Sequence, residues 1–329
     1  MILGLDLGGA NTKAASSDGK FTKIEYFPLW KEAPLVPLLR RISAEAKPEA
    51  LGVVITGELA DCFSDKRSGI LSIKGAVEES FSCPVRFWGV DGFRWTDVGD
   101  LAAANWSASA RLVCEEIKDC LFVDMGSTTT DLIPIKDGPK AARTDFERLA
   151  KGELIYSGLL RTNLAALLRD VEIKGRRVPL SSELFAITAD AHLVLGGIKE
   201  GEYAVEAPDG GGKDWISAKR RLARTVCADL EEIGLEAVFD IARQAKFRQE
   251  KLLMEGICRL AEEHDLDLVV AAGIGEGLIE EAARALDLEC VRLSKMFGKS
   301  ISDVFPAYAV ARLLEMELRG LKAPFFSPE

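Results

Sequence analysis

Short apolar runs alternate with amphipathic stretches along the first third of the chain. Ile2-Leu3-Gly4-Leu5 and Leu51-Gly-Val-Val-Ile-Thr56 read as buried strands, and the proline-bounded segment from Pro34 to Pro48 reads as a helix. A strand is predicted from Phe21 to Phe27, a helix from near Ser68-Gly69, a strand over Pro84 to Val90 and a helix over Asp100 to Lys118. Strand and helix alternate as a layered α/β sheet requires. Leu121-Phe122-Val123 begins a second series, interrupted from 143 to 260 by helical patterns. Within that stretch Thr144-Asp-Phe-Glu147 has capping-box spacing. Leu266 to Ala272 then reads as a buried strand, followed by the Gly-rich turn Gly273-Ile-Gly275-Glu-Gly277 and a helix over Leu278 to Leu286. The pattern predicts a first lobe over 1–118 and a second over 119–300, with 143–260 inserted. A closing helix over 302–320 would pack at the lobe interface through the small residues of Ala307-Tyr-Ala-Val-Ala311.

The two series open alike. Asp6-Leu-Gly-Gly-Ala-Asn-Thr-Lys13 is echoed by Asp124-Met-Gly-Ser-Thr-Thr-Thr-Asp131, each at the end of a β-forming run and each returning as a second strand toward Asp18-Gly19 or Asp137-Gly138. Both read as hairpins with exposed tips. A tight turn alone explains one Asp-x-Gly hairpin, but two unrelated hairpins have no reason to share the same residue order.

Glycine lets backbone come close to a ligand, so the N–H groups around Gly8, Gly9, Gly126 and Ser127 can converge on an anion, and Asn11, Thr12, Thr128 and Thr129 add polar side chains. Asp6 and Asp124 would repel a bare phosphate. Their presence predicts an intervening Mg²⁺ and a metal-bound phosphate or diphosphate ligand. Gly273 and Gly275, ahead of a helix N-terminus, are a further candidate phosphate contact. That turn is not a dinucleotide fingerprint, because the third glycine would fall on Leu278. Gly298-Lys299-Ser300 resembles the end of a P-loop, but Leu293 stands where the upstream glycine belongs and no strand leads in, so a loop is expected. Lys219, Arg220, Arg221 and Arg224 place cations on one helix, either as a solvated face or to receive an anionic substrate.

Composition narrows the function classes. The 329 residues are 48% hydrophobic, enough for a full core, and the net charge of −10 opposes non-specific nucleic-acid binding. No apolar stretch reaches membrane-spanning length. Seven cysteines without a Cys-x-x-Cys pair fit reduced, mostly buried thiols, and a cytoplasmic protein with small-molecule partners is expected. The two histidines, His192 and His264, lack neighbours suited to zinc or a Ser-His-Asp relay.

Asp6-Leu-Gly-Gly, Asp124 to Asp131 and Ala272-Gly-Ile-Gly275 resemble the two phosphate motifs and the adenosine motif of the superfamily containing acetate and sugar kinases, heat-shock chaperones and actin. The resemblance implies two ribonuclease-H-like lobes clamping a metal-phosphate. Within that superfamily the chain is similar to the hydantoinase A/oxoprolinase-like group, through Gly57-Glu-Leu-Ala-Asp-Cys-Phe63 with Lys66-Arg67, Ala103-Ala-Asn-Trp106, Thr144 to Leu154, Gly158-Leu-Leu-Arg-Thr162, Val178 to Glu183 and Arg221 to Asp229. The members it most resembles belong to a tetrahydromethanopterin-linked one-carbon pathway. In methanogens such members join an aminomethylfuran diphosphate to the phenol of a γ-glutamyl-tyramine in methanofuran biosynthesis, releasing pyrophosphate. That reaction implies a general base, for which Asp131 and Glu58 are the candidates, and a cation for the diphosphate, for which Lys13 is one. Arg161, Arg221 or Arg224 would take the glutamyl carboxylate. An ATP-dependent small-molecule kinase, with a nucleotide as partner, is the alternative; a non-catalytic scaffold and cyclic-amide hydrolysis rank below it. A homo-oligomer is compatible with either enzyme.

Overall fold

The computed structural model describes residues 1–31 and 34–320. Twelve strands and twelve helices are found among them, and they pack as two compact units. One unit comprises Met1–Phe122, Ile133–Lys151 and the chain from Arg292 onward; the other comprises Val123–Leu132 and Gly152–Val291.

The first sheet contains β1 (Ile2–Gly8), β2 (Asn11–Ser16), β3 (Thr22–Tyr26), β4 (Ala50–Thr56) and β5 (Val85–Phe87), in the order β3-β2-β1-β4-β5. The first three strands form an antiparallel meander, and β4 and β5 add in parallel. Helix α1 (Leu35–Ala46) fits between the two prolines as expected and buries Leu38, Leu39, Ile42 and Ala46 on one face. Helix α2 (Lys66–Ser80) starts two residues before its expected position because Asp65 caps it: the Ser68 N–H donates to the Asp65 carboxylate at 2.7 Å. Leu3, Leu5, Leu7, Val53 and Ile55 meet Leu39, Ile42, Ile70 and Ile73 in one core.

Helix α3 (Asn105–Glu116) is shorter than the expected 100–118 span. Residues 98–101 form a separate 3-10 turn, and Ala103 takes a φ of 47° that breaks the helical path.

The second sheet contains β6 (Asp119–Met125), β7 (Thr130–Lys136), β8 (Leu154–Ile155), β11 (Leu268–Ala272) and β12 (Glu289–Arg292), in the order β12-β11-β6-β7-β8. Numbered from its own first strand, this is the same 3-2-1-4-5 order as the first sheet. The duplication seen in the motifs therefore extends to the topology, and both sheets have the ribonuclease-H-like arrangement that the sequence implied.

Between β8 and β11 lie α5 (Leu164–Leu167), α6 (Thr188–Val194), α7 (Trp215–Arg224) and the long run α8 (Leu230–His264), which breaks at Gly234. Leu164, Ile187, Leu193, Leu222, Val238 and Ile241 form its apolar centre. Helix α4 (Asp145–Ala150) precedes this segment, and the Glu147 N–H donates to the Thr144 hydroxyl there, which is the N-cap half of the capping box that the spacing predicts. A two-stranded ribbon, β9 (Asp170–Ile173) with β10 (Arg176–Pro179), interrupts the expected helical region. It turns on Lys174 and Gly175, both at positive φ, as a two-residue hairpin requires.

Helix α9 (Glu276–Ala285) follows β11, close to its expected span. The segment expected as a loop at 298–300 instead joins two short helices, α10 (Leu293–Phe297) and α11 (Lys299–Ser302), across Gly298 at φ 89°. Among the described residues no helix is long and apolar enough to cross a membrane. All seven cysteines are free thiols; Cys114 and Cys120 are buried, whereas Cys62 and Cys227 are exposed, so burial is less general than expected.

The closing helix α12 (Phe305–Leu318) lies against β1 and β4 at paired glycines. Gly4 and Gly52 are register partners, and a methyl group on either would meet helix backbone, at Ala307 for Gly4 and at Val310 for Gly52. Gly4→Ala is therefore expected to cost about 1–3 kcal/mol of stability through overpacking. A lowered urea midpoint at unchanged slope would register that cost. An unchanged midpoint would mean that α12 gives way freely.

Candidate active site

The first bend joins β1 to β2. Asp6 stands opposite Lys13 and Leu7 opposite Thr12 in the antiparallel register, so the carboxylate and the ammonium lie on one face. Asp6 is buried and accepts a hydrogen bond from the Thr56 hydroxyl at 3.0 Å. Thr12 is buried, while Asn11 and Lys13 are half-buried. The Gly9 carbonyl accepts from the Leu29 N–H at 2.8 Å. In a planar trans peptide the following N–H, that of Ala10, points the opposite way. A methyl group on Gly9 would enter open space, so the backbone there is approachable.

The end of β4 completes this corner. A methyl group on Gly57 would stand 3.0 Å from the Gly8 carbonyl carbon and 3.1 Å from the Gly9 nitrogen, so only glycine lets the chain pass so close. Glu58 follows immediately. Its side chain is 2% exposed, and Oε2 has no hydrogen-bond partner among the described residues. Burial pushes its pKa up to about 7, with repulsion from Asp145 adding to the rise. Hydrogen bonds from its own N–H and that of Ala103, and the attraction of Lys66, hold the shift back. The positive φ of Ala103 is a strained conformation for a residue with a Cβ, and the Ala103 N–H is one of the two that hold this carboxylate. Nearby, the Arg148 guanidinium stacks 4.8 Å from the Trp106 ring and reaches Asp145 at 3.2 Å.

The second bend joins β6 to β7, with Asp124, Thr130 and Asp131 all buried. The Gly126 N–H closes the turn on the Thr129 carbonyl at 3.0 Å, so it is not offered to a ligand as the sequence suggested. The Gly126 carbonyl accepts from the Leu159 N–H, and the Ser127 carbonyl accepts from those of Leu160 and Arg161. By the same trans-peptide geometry, the N–H groups of Ser127 and Thr128 point to the opposite face of the bend. The Ser127 and Thr128 hydroxyls lie 3.4 Å apart, and Arg161 Nη1 donates to the Thr128 hydroxyl at 3.4 Å. Gly158 is pressed against the bend: a methyl group there would collide with the backbone of Ser127 and Thr128.

Gly273, at φ 82°, packs so tightly on Asp124 and Met125 that a methyl group would strike the Asp124 carboxylate. Gly275 lies on the Met125 side chain and donates its N–H to the Met125 carbonyl at 3.1 Å. These two glycines thus seat the turn on the Asp124 strand end, and the Gly275 N–H is used by protein.

Two of the cations of α7 make ion pairs within the fold. Arg221 is 0% exposed and reaches Asp190 at 2.8 Å and Asp209 at 3.2 Å; Arg224 reaches Asp209 at 2.9 Å. Arg221 is thereby enclosed in an internal ion-pair network, completed by the Tyr203 hydroxyl on Asp190, and is withdrawn from an anionic substrate, whereas Arg224 remains half exposed. Arg161 is the candidate that stands beside a bend.

Among the described residues no group of three or more His, Cys, Asp or Glu is placed to hold a metal ion. A dedicated protein cage is thus not found. Mg²⁺ commonly takes only one or two carboxylates and fills its remaining positions with water and substrate phosphate. Each bend carries one buried carboxylate, Asp6 at the first and Asp124 at the second.

Comparison with known proteins follows the same lines. The hydantoinase/oxoprolinase family model matches residues 49–317. The chain is 41% identical over 329 residues to the (4-{4-[2-(gamma-L-glutamylamino)ethyl]phenoxymethyl}furan-2-yl)methanamine synthase of Methanocaldococcus jannaschii, covering 97% of this chain and 98% of that one. It is 37% identical over 217 residues to the synthase of the same name from Methanococcus vannielii, covering 64% of this chain and 98% of the other. A ROK family glucokinase from Streptomyces griseus, solved with glucose and AMPPNP, shares the fold at a TM-score of 0.50 and 14% identity, over 95% of this chain and 98% of that chain.

Proposed function

The chain belongs to the hydantoinase/oxoprolinase family, and from that premise we propose that it is a transferase of methanofuran biosynthesis, joining an aminomethylfuran-methyl diphosphate to the phenol oxygen of γ-glutamyl-tyramine. The observation that carries this reading is the 41% identity to a synthase of that ether along essentially the whole length of both chains. The cytoplasm, where free thiols persist, is the compartment the reading implies.

In the reaction the phenol oxygen forms a bond to the furfuryl carbon, the carbon–oxygen bond to the diphosphate breaks, and its electron pair leaves with pyrophosphate. The phenol proton goes to a base. Mg²⁺, when bound, neutralises the diphosphate and makes it a better leaving group. Asp6 at the first bend and Asp124 at the second are each proposed as a metal ligand. The open backbone at Gly9, the outward N–H groups of Ser127 and Thr128 and their hydroxyls offer donors to phosphate oxygens, and Lys13 and Arg161 add positive charge.

Glu58 is preferred over Asp131 as the base. A desolvated carboxylate with a pKa of about 7, its Oε2 without a hydrogen-bond partner among the described residues, is half ionised at neutral pH and holds a proton far better than an ordinary carboxylate. The acceptor needs that help, because a phenol ionises only near a pH of about 10.

The purified protein, incubated with Mg²⁺, the diphosphate and γ-glutamyl-tyramine but no nucleotide, is expected to form the aryl furfuryl ether, identified by mass, with an equimolar amount of pyrophosphate. No ether without nucleotide, together with ADP formation and a phosphorylated product when ATP is supplied, would replace this reading with the kinase.

A further inference from the structure

Behind the second bend lies a buried polar chain that the proposed reaction does not use. Gln249, on α8, is 2% exposed. Its amide nitrogen donates to the Gly158 carbonyl at 2.8 Å and to the Ser157 hydroxyl at 3.0 Å. The Gly158 carbonyl also accepts from the Thr162 and Thr188 hydroxyls, each at 3.2 Å, and the Gly158 N–H donates to the Thr162 hydroxyl at 3.1 Å. Both polar groups of the Gly158 backbone are thus fixed, and Thr130 adds a hydrogen bond to the Ser157 carbonyl at 2.7 Å.

The orientation of Gln249 follows from its partners. A carbonyl only accepts, so the amide nitrogen must face Gly158, and the amide oxygen must face His192 Nε2 at 2.8 Å. His192 therefore carries its proton on Nε2. Burial lowers its pKa, which keeps the ring neutral with that single N–H. Its other ring nitrogen, Nδ1, lies against Gly197. A protonated Nδ1 with a bare Nε2 would turn the amide over and remove the donor from Gly158.

We infer that Gln249, held by the Nε2–H form of His192, is a positioning residue for the diphosphate-gripping bend at Gly126 to Thr129. The inference rests on the reaction proposed above. Gly158 lies directly against Ser127 and Thr128, and the next three N–H groups hold the Gly126 and Ser127 carbonyls, so fixing Gly158 fixes where the Ser127 and Thr128 N–H groups point. A misplacement there weakens interactions with the diphosphate and leaves the acceptor untouched.

The test is Gln249→Met, nearly equal in volume but without the amide, with Thr188→Val as the milder second variant should the first fail to fold. Amide hydrogen exchange at Leu159, Leu160 and Arg161 is expected to accelerate at least about tenfold, and the KM for the diphosphate to rise by a similar factor while that for the acceptor stays put. In the wild type, the nitrogen shifts of His192 should report a proton on Nε2. Folded variants with wild-type exchange and wild-type diphosphate KM would overturn the inference. So would equal rises in both KM values, which mark general loosening, or a His192 proton on Nδ1. If the wild type binds no magnesium pyrophosphate, the proposed reaction fails, and the exchange rates alone then decide whether Gln249 sets the bend.

Discussion

Glu58→Gln should leave a folded protein whose turnover has fallen by about a hundredfold to ten-thousandfold, the span typical for loss of a general base. Glutamine keeps the shape of the side chain and can still accept from the Ala103 N–H, but it takes up no phenol proton. In the wild type, kcat/KM should rise with pH up to about 7 and then level, because only the ionised carboxylate acts. Glu58→Gln should abolish that rise. The stability effect has the opposite sign. With a folded pKa raised to about 7 from 4.5, the folded protein keeps a proton between those values that the unfolded chain has lost. Stability therefore falls as pH rises through that window, by an amount of the order of 3 kcal/mol at most, and the loss persists above it. At pH 8 the glutamine variant should consequently be the more stable protein. Urea titration at pH 5 and pH 8 beside the pH–rate profile checks both halves. A variant with near-wild-type turnover would remove Glu58 from the chemistry and leave Asp131 as the candidate.

Asp124→Ala should lower turnover by a thousandfold or more, roughly the loss expected when charge stabilisation at a departing pyrophosphate is removed. The carboxylate sits at the end of β6, and the Gly273 turn is moulded around it, which fixes its direction before any ligand arrives. Stability should change little, because the substitution takes a charge out of a buried position and introduces no Cβ clash. Calorimetric titration with magnesium pyrophosphate should show binding lost with activity, while circular dichroism and the melting temperature stay near wild type. Unchanged turnover would end the assignment of Asp124 to the metal. Gly273→Ala, which drives a methyl group into the same carboxylate, should reproduce part of the loss.

The architecture was legible because its signals are local. The two Asp-x-Gly bends announced a duplication, and the shared strand order of the two sheets bears it out. Apolar runs such as 51–56 marked buried strands, and Pro34 and Pro48 bracketed α1. Errors arose where a local signal competed with a longer pattern. The ribbon at 170–179 carries alternation and a Lys174-Gly175 turn, yet it was submerged in a region otherwise helical. The α3 helix was drawn too long because nothing in Ala102-Ala-Ala betrays the left-handed backbone at Ala103.

The site was legible only in its glycines and acids. Glu58 could be nominated from its neighbours, but the burial that raises its pKa is a product of tertiary packing, with Gly69 pressed against its backbone and the Ala103 N–H reaching its carboxylate from a remote loop. Arg221 looked like a substrate ligand because its countercharges, Asp190 and Asp209, are remote from it in sequence. The chain of His192, Gln249 and Gly158 spans 91 residues, and no periodicity links its members.

The most direct test of the central claim follows the phenol oxygen. γ-Glutamyl-tyramine labelled with ¹⁸O at the phenol, reacted with the furfuryl diphosphate and Mg²⁺ in the absence of nucleotide, should give an ether that retains the label and pyrophosphate that contains none. An ether without the label, or label found only in a phosphate ester formed from ATP, would contradict attack of the phenol on the furfuryl carbon.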